Sequence, residues 1–136
     1  MIKLSRLTDY AVVVLAEMAR SKGELMAAST LATKTGIPEP TVSKVLKTMS
    51  RNGLISSVRG VSGGYRLDRA AGDIPVSLII AAMEGPISLT SCVSGSHEIC
   101  ALEGKCSMHG RWNPVNAAIQ GALDKVTLAD MNMGRL

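Results

Sequence analysis

Apolar residues at the start of the chain recur three and four positions apart. Leu4, Leu7, Ala11, Val14 and Met18 make one face, widened by Tyr10 and Leu15; that is the period of a helix lying on a core. The pattern predicts a helix over residues 3–21, ended by Lys22-Gly23. A second, shorter helix is predicted over 29–35, with Ser29 or Thr30 as N-cap, Gly36 just past its end, and Leu31 and Ala32 turned inward. Pro38 blocks continuation of that helix. Pro40 suits the first turn of another, where its missing N–H costs nothing. This third helix is expected from about Pro40 to Asn52, with Val42, Val45, Leu46 and Met49 buried.

The pattern then changes period. Residues 54–59 are short and β-prone, residues 60–64 form a Gly/Ser-rich tip, and Tyr65-Arg66-Leu67 returns as a strand. A fourth helix is predicted from Val76 to Glu84 and is broken by Gly85-Pro86. Asn113-Pro114 reads as N-cap and first turn of a last, long helix. On it Val115, Ala118, Ile119, Ala122, Leu123 and Val126 repeat at helical spacing, while Ala117 and Gly121 leave one edge thin. A short helical tail is expected at Thr127–Met131. Two helices joined by a tight turn and followed by a hairpin resemble helix-turn-helix plus wing. The expected fold is therefore mainly α with a small β-hairpin wing, extended by a long C-terminal dimerisation helix. The expected division is a winged helix-turn-helix at 1–70, and a loop with a dimerisation helix, one compact unit, at 71–136. So small a core offers little to cover the last apolar stripe, which points to a second copy of the chain.

Composition supports this. Hydrophobic residues make up 46% of the 136, but aromatics only 2%, so the core must be aliphatic, as suits packed helices. Apolar runs such as Ala11–Ala16 are far too short to span a membrane. No signal-peptide pattern opens the sequence, and a cytoplasmic protein is expected. The net charge of +4 is uneven: residues 1–69 carry eleven Lys/Arg against five Asp/Glu, and residues 70–136 four against six. A basic first half favours a polyanionic partner. On the third helix Thr41, Ser43, Lys44, Lys47, Thr48 and Arg51 form the outer face. At the hairpin, Arg59 and Arg66 flank glycine N–H groups that can meet phosphate. Double-stranded DNA is the expected partner. The sequence has no nucleophile elbow, phosphate loop or redox C-x-x-C, so neither an enzyme nor a small-molecule substrate is expected.

The remaining chemistry sits in one stretch. Cys92, Cys100, Cys106 and His109 span all three cysteines and hold seven, five and two residues between them. Three soft thiolates and an imidazole make a metal-site composition. Three cysteines cannot all pair within one chain, and a reducing compartment disfavours structural disulfides.

Four stretches together resemble one family: L-T-D-Y-A-V near the start, I-P-E-P-T-V-S-K-V-L-K in the third helix, R-N-G-L-I-S-S-V-R-G-x-x-G-G-Y in the wing, and the three cysteines with a histidine. The chain resembles the IscR-type winged-helix regulators that carry an iron–sulfur cluster. Its wording is most similar to the branch that represses the SUF cluster-assembly genes. The resemblance implies a homodimer with a crossed C-terminal helix and one cluster per subunit. It gives Cys92, Cys100, Cys106 and His109 as ligands, with Asp9 of the partner subunit as the rival for the fourth. His97, Glu98 and Glu103 are expected to be solvated. The best-known members of the family have five residues in the first cysteine gap and here there are seven, which leaves a two-iron or four-iron cluster open. For DNA, Thr41, Ser43 and Lys44 would meet base edges. Lys47, Arg51, Ser62, Gly63, Gly64 and Tyr65 would hold phosphate or sugar, and Arg59 would enter the minor groove. Two other readings compete: a zinc-stabilised winged-helix protein, since three Cys and one His is also a structural zinc set, and a metal-free thiol switch using Cys100 and Cys106.

Overall fold

The computed structural model of the protein describes residues 3–102 and 104–132. In chain order the described elements are α1 (Arg6–Arg20), α2 (Ala28–Thr35), α3 (Glu39–Arg51), β1 (Ser56–Val58), β2 (Gly64–Arg66), a 3₁₀ turn (Ala71–Asp73), α4 (Val76–Glu84), α5 (Asn113–Lys125) and α6 (Leu128–Met131). This is the mainly helical fold with a two-stranded hairpin that the periodicities predict.

α1 starts later than predicted because Ser5 caps it, its hydroxyl accepting from the Thr8 N–H at 3.1 Å. Leu4 lies before the helix and is 49% exposed, so the buried face begins further on, with Ala11, Val14, Leu15 and Met18. Lys22 (φ 52) and Gly23 (φ 83) follow the helix with left-handed backbones. α2 is capped by Ala27, not by Ser29 or Thr30, which lie inside the helix. Its entry is fixed from the sheet side instead. Met26 donates to the Tyr65 carbonyl and accepts from the Tyr65 N–H, both at 2.8 Å, which adds a rung beside β2. Gly36 closes α2 at φ 79, a conformation that favours glycine. Pro38 caps α3, and Pro40 sits in its first turn. Val42, Val45, Leu46 and Met49 are fully buried.

The hairpin pairs antiparallel, Ser57 opposite Tyr65, and Leu54, Ile55 and Leu67 bury its base in the body. One buried cluster takes in α1, α2, α3 and the hairpin base together with Ile74, Ile79 and Leu128. The chain's end returns to that cluster. The Val76 N–H donates to the Val126 carbonyl at 2.7 Å, and the Leu128 N–H to the Ile74 carbonyl at 2.8 Å. Thr127 and Asp130 form a capping box for α6, and Leu128 is fully buried. Residues on both sides of position 70 therefore share one core.

α5 departs from its predicted form in two ways. It has 13 residues, fewer than the 15 of α1. Its cap position is Trp112 rather than Asn113, whose side chain instead accepts from the Ser94 N–H at 2.8 Å. Asn116 is its one buried residue. Val115, Ala118, Ala122 and Val126 of the predicted stripe are exposed, and Ile119 and Leu123 are half-buried beside Ile80 of α4. Among the described residues no helix is long and apolar enough to cross a membrane.

Candidate functional site

The buried stripe of α3 turns its other side outward. Lys44, Lys47 and Arg51 are exposed there, and Thr41 and Ser43 are half-buried. A cleft of about 510 Å³ opens between this helix and the hairpin. Lys47 and Arg51 line one wall, and Arg59, Gly63, Gly64 and Tyr65 line the other. Six of the predicted DNA-contacting residues thus meet in one concavity. Thr41, Ser43 and Lys44 lie nearer the start of α3, outside that cleft, and Ser62 is exposed at the hairpin tip. The one ion pair among the described residues joins Arg20 to Glu17. Lys47, Arg51 and Arg59 therefore face the cleft with no acidic partner among the described residues.

Backbone crowding explains two of the wing's glycines. The Gly63 N–H donates to the Gly60 carbonyl at 3.0 Å, and a Cβ on Gly63 would stand 2.1 Å from the Val58 carbonyl oxygen. A Cβ on Gly64 would stand 2.7 Å from the Met26 oxygen, where the extra rung passes. Arg66 departs from its expected place at the tip: its Nε donates to the Gly23 carbonyl at 3.0 Å, tying the wing's return strand to the turn after α1.

Between α4 and α5 the described residues form no regular element. Two asparagines of α5 hold the start of this loop. Asn116 donates from Nδ2 to the Ile87 carbonyl and accepts at Oδ1 from the Leu89 N–H, both at 2.9 Å. Asn113 takes the Ser94 N–H. Cys92 lies between those points. Its thiol is 3.2 Å from the Thr90 hydroxyl; that contact, and then the Gly110 N–H, hold its pKa below the ordinary thiol value. Both favour the thiolate, the form that binds metal or attacks an oxidant.

Cys92, Cys100 and Cys106 are free and half-buried. The His109 N–H donates to the Cys106 carbonyl at 3.2 Å, which puts these two on one turn. His97, Glu98 and His109 are exposed, and Glu98 accepts from the Ser91 hydroxyl at 3.3 Å. Glu103 lies outside the described residues. Asp9 is exposed on α1. Among the described residues no three Cys, His, Asp or Glu side chains stand together as a metal-holding group. In kind, the donors fit a thiolate-bound metal or cluster: three accessible thiols, one biased towards thiolate, and a histidine on the same turn as another. In place, the single chain does not gather them.

Two residues that periodicity could not single out connect this region to the helical body. Thr8, fully buried on α1, donates its hydroxyl to Glu84 at the end of α4 at 2.7 Å. Asn116 joins the loop to α5. A polar residue inside an apolar helical stripe is the only sequence signal for either.

The family described as "Rrf2: Iron-dependent Transcriptional regulator" matches residues 4–133. Among curated relatives, the HTH-type transcriptional regulator IscR of Photobacterium profundum is 29% identical over 123 residues, covering 90% of this chain and 70% of the relative. IscR of Citrobacter koseri is also 29% identical over 123 residues, covering 90% and 74%. Among solved structures, T. potens IscR is 30% identical with a TM-score of 0.64, covering 96% of this chain and 85% of that one. CymR, the global cysteine regulator of B. subtilis, is 26% identical with a TM-score of 0.72, covering 97% of each.

Proposed function

This chain belongs to the Rrf2 family of transcriptional regulators, and on that premise we propose that it is a homodimeric repressor of iron–sulfur cluster assembly genes whose DNA affinity depends on a bound iron–sulfur cluster. The observation that carries DNA binding is the cleft where Lys47, Arg51 and Arg59 converge on glycine backbone. Cations left without acidic partners are available to phosphates, and a helix with short polar side chains and a lysine fits a major groove. Thr41, Ser43 and Lys44 meet base edges. Lys47 and Arg51 hold phosphates, Arg59 enters the adjacent minor groove, and Ser62, Gly63, Gly64 and Tyr65 seat the wing on the sugar-phosphate backbone.

Cys92, Cys100 and Cys106 are the proposed thiolate ligands. The fourth is His109, or Asp9 of the partner subunit. When bound, the cluster would supply a centre sensitive to iron, oxygen and redox state. The chain's own residues do the coupling. The Asn113 and Asn116 bonds carry the loop's position to α5, and the Thr8–Glu84 bond carries the end of α4 to α1. A shift of α4 and α5 would change how two copies space their α3 helices, and so which half-sites they reach.

The test is to select duplexes from a randomised pool with purified protein and footprint the winners. The expected result is a two-fold symmetric site with half-sites roughly one helical turn apart. Enrichment of no duplex sequence, with or without reconstitution by iron and sulfide, would reject the reading. A second reading, a metal-free thiol switch, is favoured by one observation: the three thiols are free and the described residues assemble no metal-holding group. Anaerobic purification separates the readings. Visible absorbance indicates a cluster, zinc without colour indicates the structural alternative, and neither metal nor colour indicates a thiol switch.

A further inference from the structure

Asn113 and Asn116 stand one helical turn apart at the start of α5, and among the described residues their side chains bond only to backbone of the loop that precedes it. Asn116 is 9% exposed and uses both ends of its amide, a donor to the Ile87 carbonyl and an acceptor from the Leu89 N–H. Buried polar side chains stay only where such bonds are made, and a truncation leaves the partner groups unpaired. The three bonds grip residues 87, 89 and 94, and Cys92 lies inside that interval. Val93, next to it, is 4% exposed, a second anchor of the same segment. Beyond it the grip ends. Among the described residues, the stretch 99–109 makes backbone hydrogen bonds only within residues 99–111. Cys100 and Cys106 belong to that loosely held part.

We propose that Asn113 and Asn116 are positioning residues for Cys92: they hold the loop backbone around one cluster ligand to side chains of α5 before any metal arrives, leaving Cys100 and Cys106 to close on it. This rests on the cluster-binding reading given above. One preset ligand lowers the ordering cost of assembling the site, because fewer residues must be immobilised when the cluster enters. It also defines how the cluster's state reaches the rest of the fold: the firm ligand is the one bonded through to α5, and the loosely held ones can leave without unfolding the helix pair. Groups that orient a metal ligand characteristically contribute about 10–100-fold to metal affinity.

The test uses the full chain, reduced and reconstituted without oxygen with ferrous iron and sulfide. Asn116→Ala, Asn113→Ala and Asn116→Asp are compared with the wild type. Asn116→Asp keeps the acceptor for the Leu89 N–H and loses the donor to Ile87. Ser96→Ala, a loop change outside the grip, serves as control. The readout is the rate at which an iron chelator bleaches the visible absorbance. The expected result is bleaching faster by about tenfold or more for Asn116→Ala, less for Asn113→Ala and Asn116→Asp, and unchanged for Ser96→Ala. Affinity for non-operator duplex, set by α3 and the wing, is expected to be unchanged in all of them, which separates lost positioning from lost folding. If Asn116→Ala does not fold, Asn113→Ala, whose side chain is half-buried, decides alone. Equal bleaching rates in the wild type and both alanine variants would overturn the inference while leaving the cluster reading intact. A wild type that takes up iron and sulfide without visible absorbance would overturn the cluster reading, and the inference with it.

Discussion

Arg20 shows what a satisfied cation looks like in this chain. Its guanidinium donates to Glu17 at 2.7 Å and to Asn132 at 2.8 Å. Lys47, Arg51 and Arg59 have no such acidic acceptor among the described residues and open onto the cleft between α3 and the wing. Their role should differ in kind from that of Lys44. Lys47→Ala is expected to weaken binding to operator and unrelated duplex alike, and to lower the slope of log affinity against log salt by about one. Lys44→Ala is expected to cost about 1–3 kcal/mol on the operator and to relax base preference at one position. Anisotropy titrations at several salt concentrations on both duplexes measure this. If Lys47→Ala left the salt slope unchanged, that side chain would not be at a phosphate.

Elements are legible in the sequence in proportion to how locally they are determined. The apolar stripes of α3 and α4 follow from residues within the helices themselves, and Gly36 announces the end of α2, because a left-handed C-cap is a one-residue signal. Helix starts are less legible. Ser5 and Ala27 do not stand out as caps, the second because α2 takes its entry from a strand rung formed with Tyr65, far along the chain. The same distance hides Thr8, whose partner Glu84 lies on α4, and Asn113, an apparent helix cap that bonds the loop instead. Among candidate site residues, the polar face of α3 can be read because it is the back of a buried stripe. The cysteine loop can be read only as composition, since nothing periodic orders it. Between α4 and α5 a pH test is available. The Ser77 hydroxyl bonds the Asp124 carboxylate, and Gln120 donates to it at 2.8 Å. These bonds, Ser77 first, hold Asp124 below the usual carboxylate range. A pKa depressed by folding stabilises the fold above the unfolded-state value, and that contribution is lost as pH falls through the folded value. The melting-temperature difference between wild type and Ser77→Ala should therefore be steady near neutrality and narrow below about pH 4. A difference that stays constant down to about pH 2 would remove Asp124 from the α4–α5 contact.

At the scale of the whole molecule, the described residues leave one side of the α5 apolar stripe uncovered. Val115 is 43% exposed, Val126 38%, and Ala118 and Ala122 lie between them on the open side. An exposed apolar helix face marks an interaction surface, and the proposed two-fold DNA reader would use it for a second copy. Sedimentation is expected to show a dimer. Ala118→Glu is expected to shift it towards monomer and weaken operator binding, with little change in the contacts of α3 to a single half-site. A wild type that stays monomeric at concentrations well above its DNA dissociation constant would refute the dimer.

Sensing itself is tested most directly by one paired measurement on Cys100→Ala: visible absorbance after anaerobic reconstitution, and operator affinity of the same sample. The expected result is that wild type gains absorbance and changes its operator affinity when the cluster is stripped, while Cys100→Ala shows neither the colour nor the change. A Cys100→Ala protein with wild-type absorbance and wild-type operator affinity would contradict regulation by a cluster held in this loop.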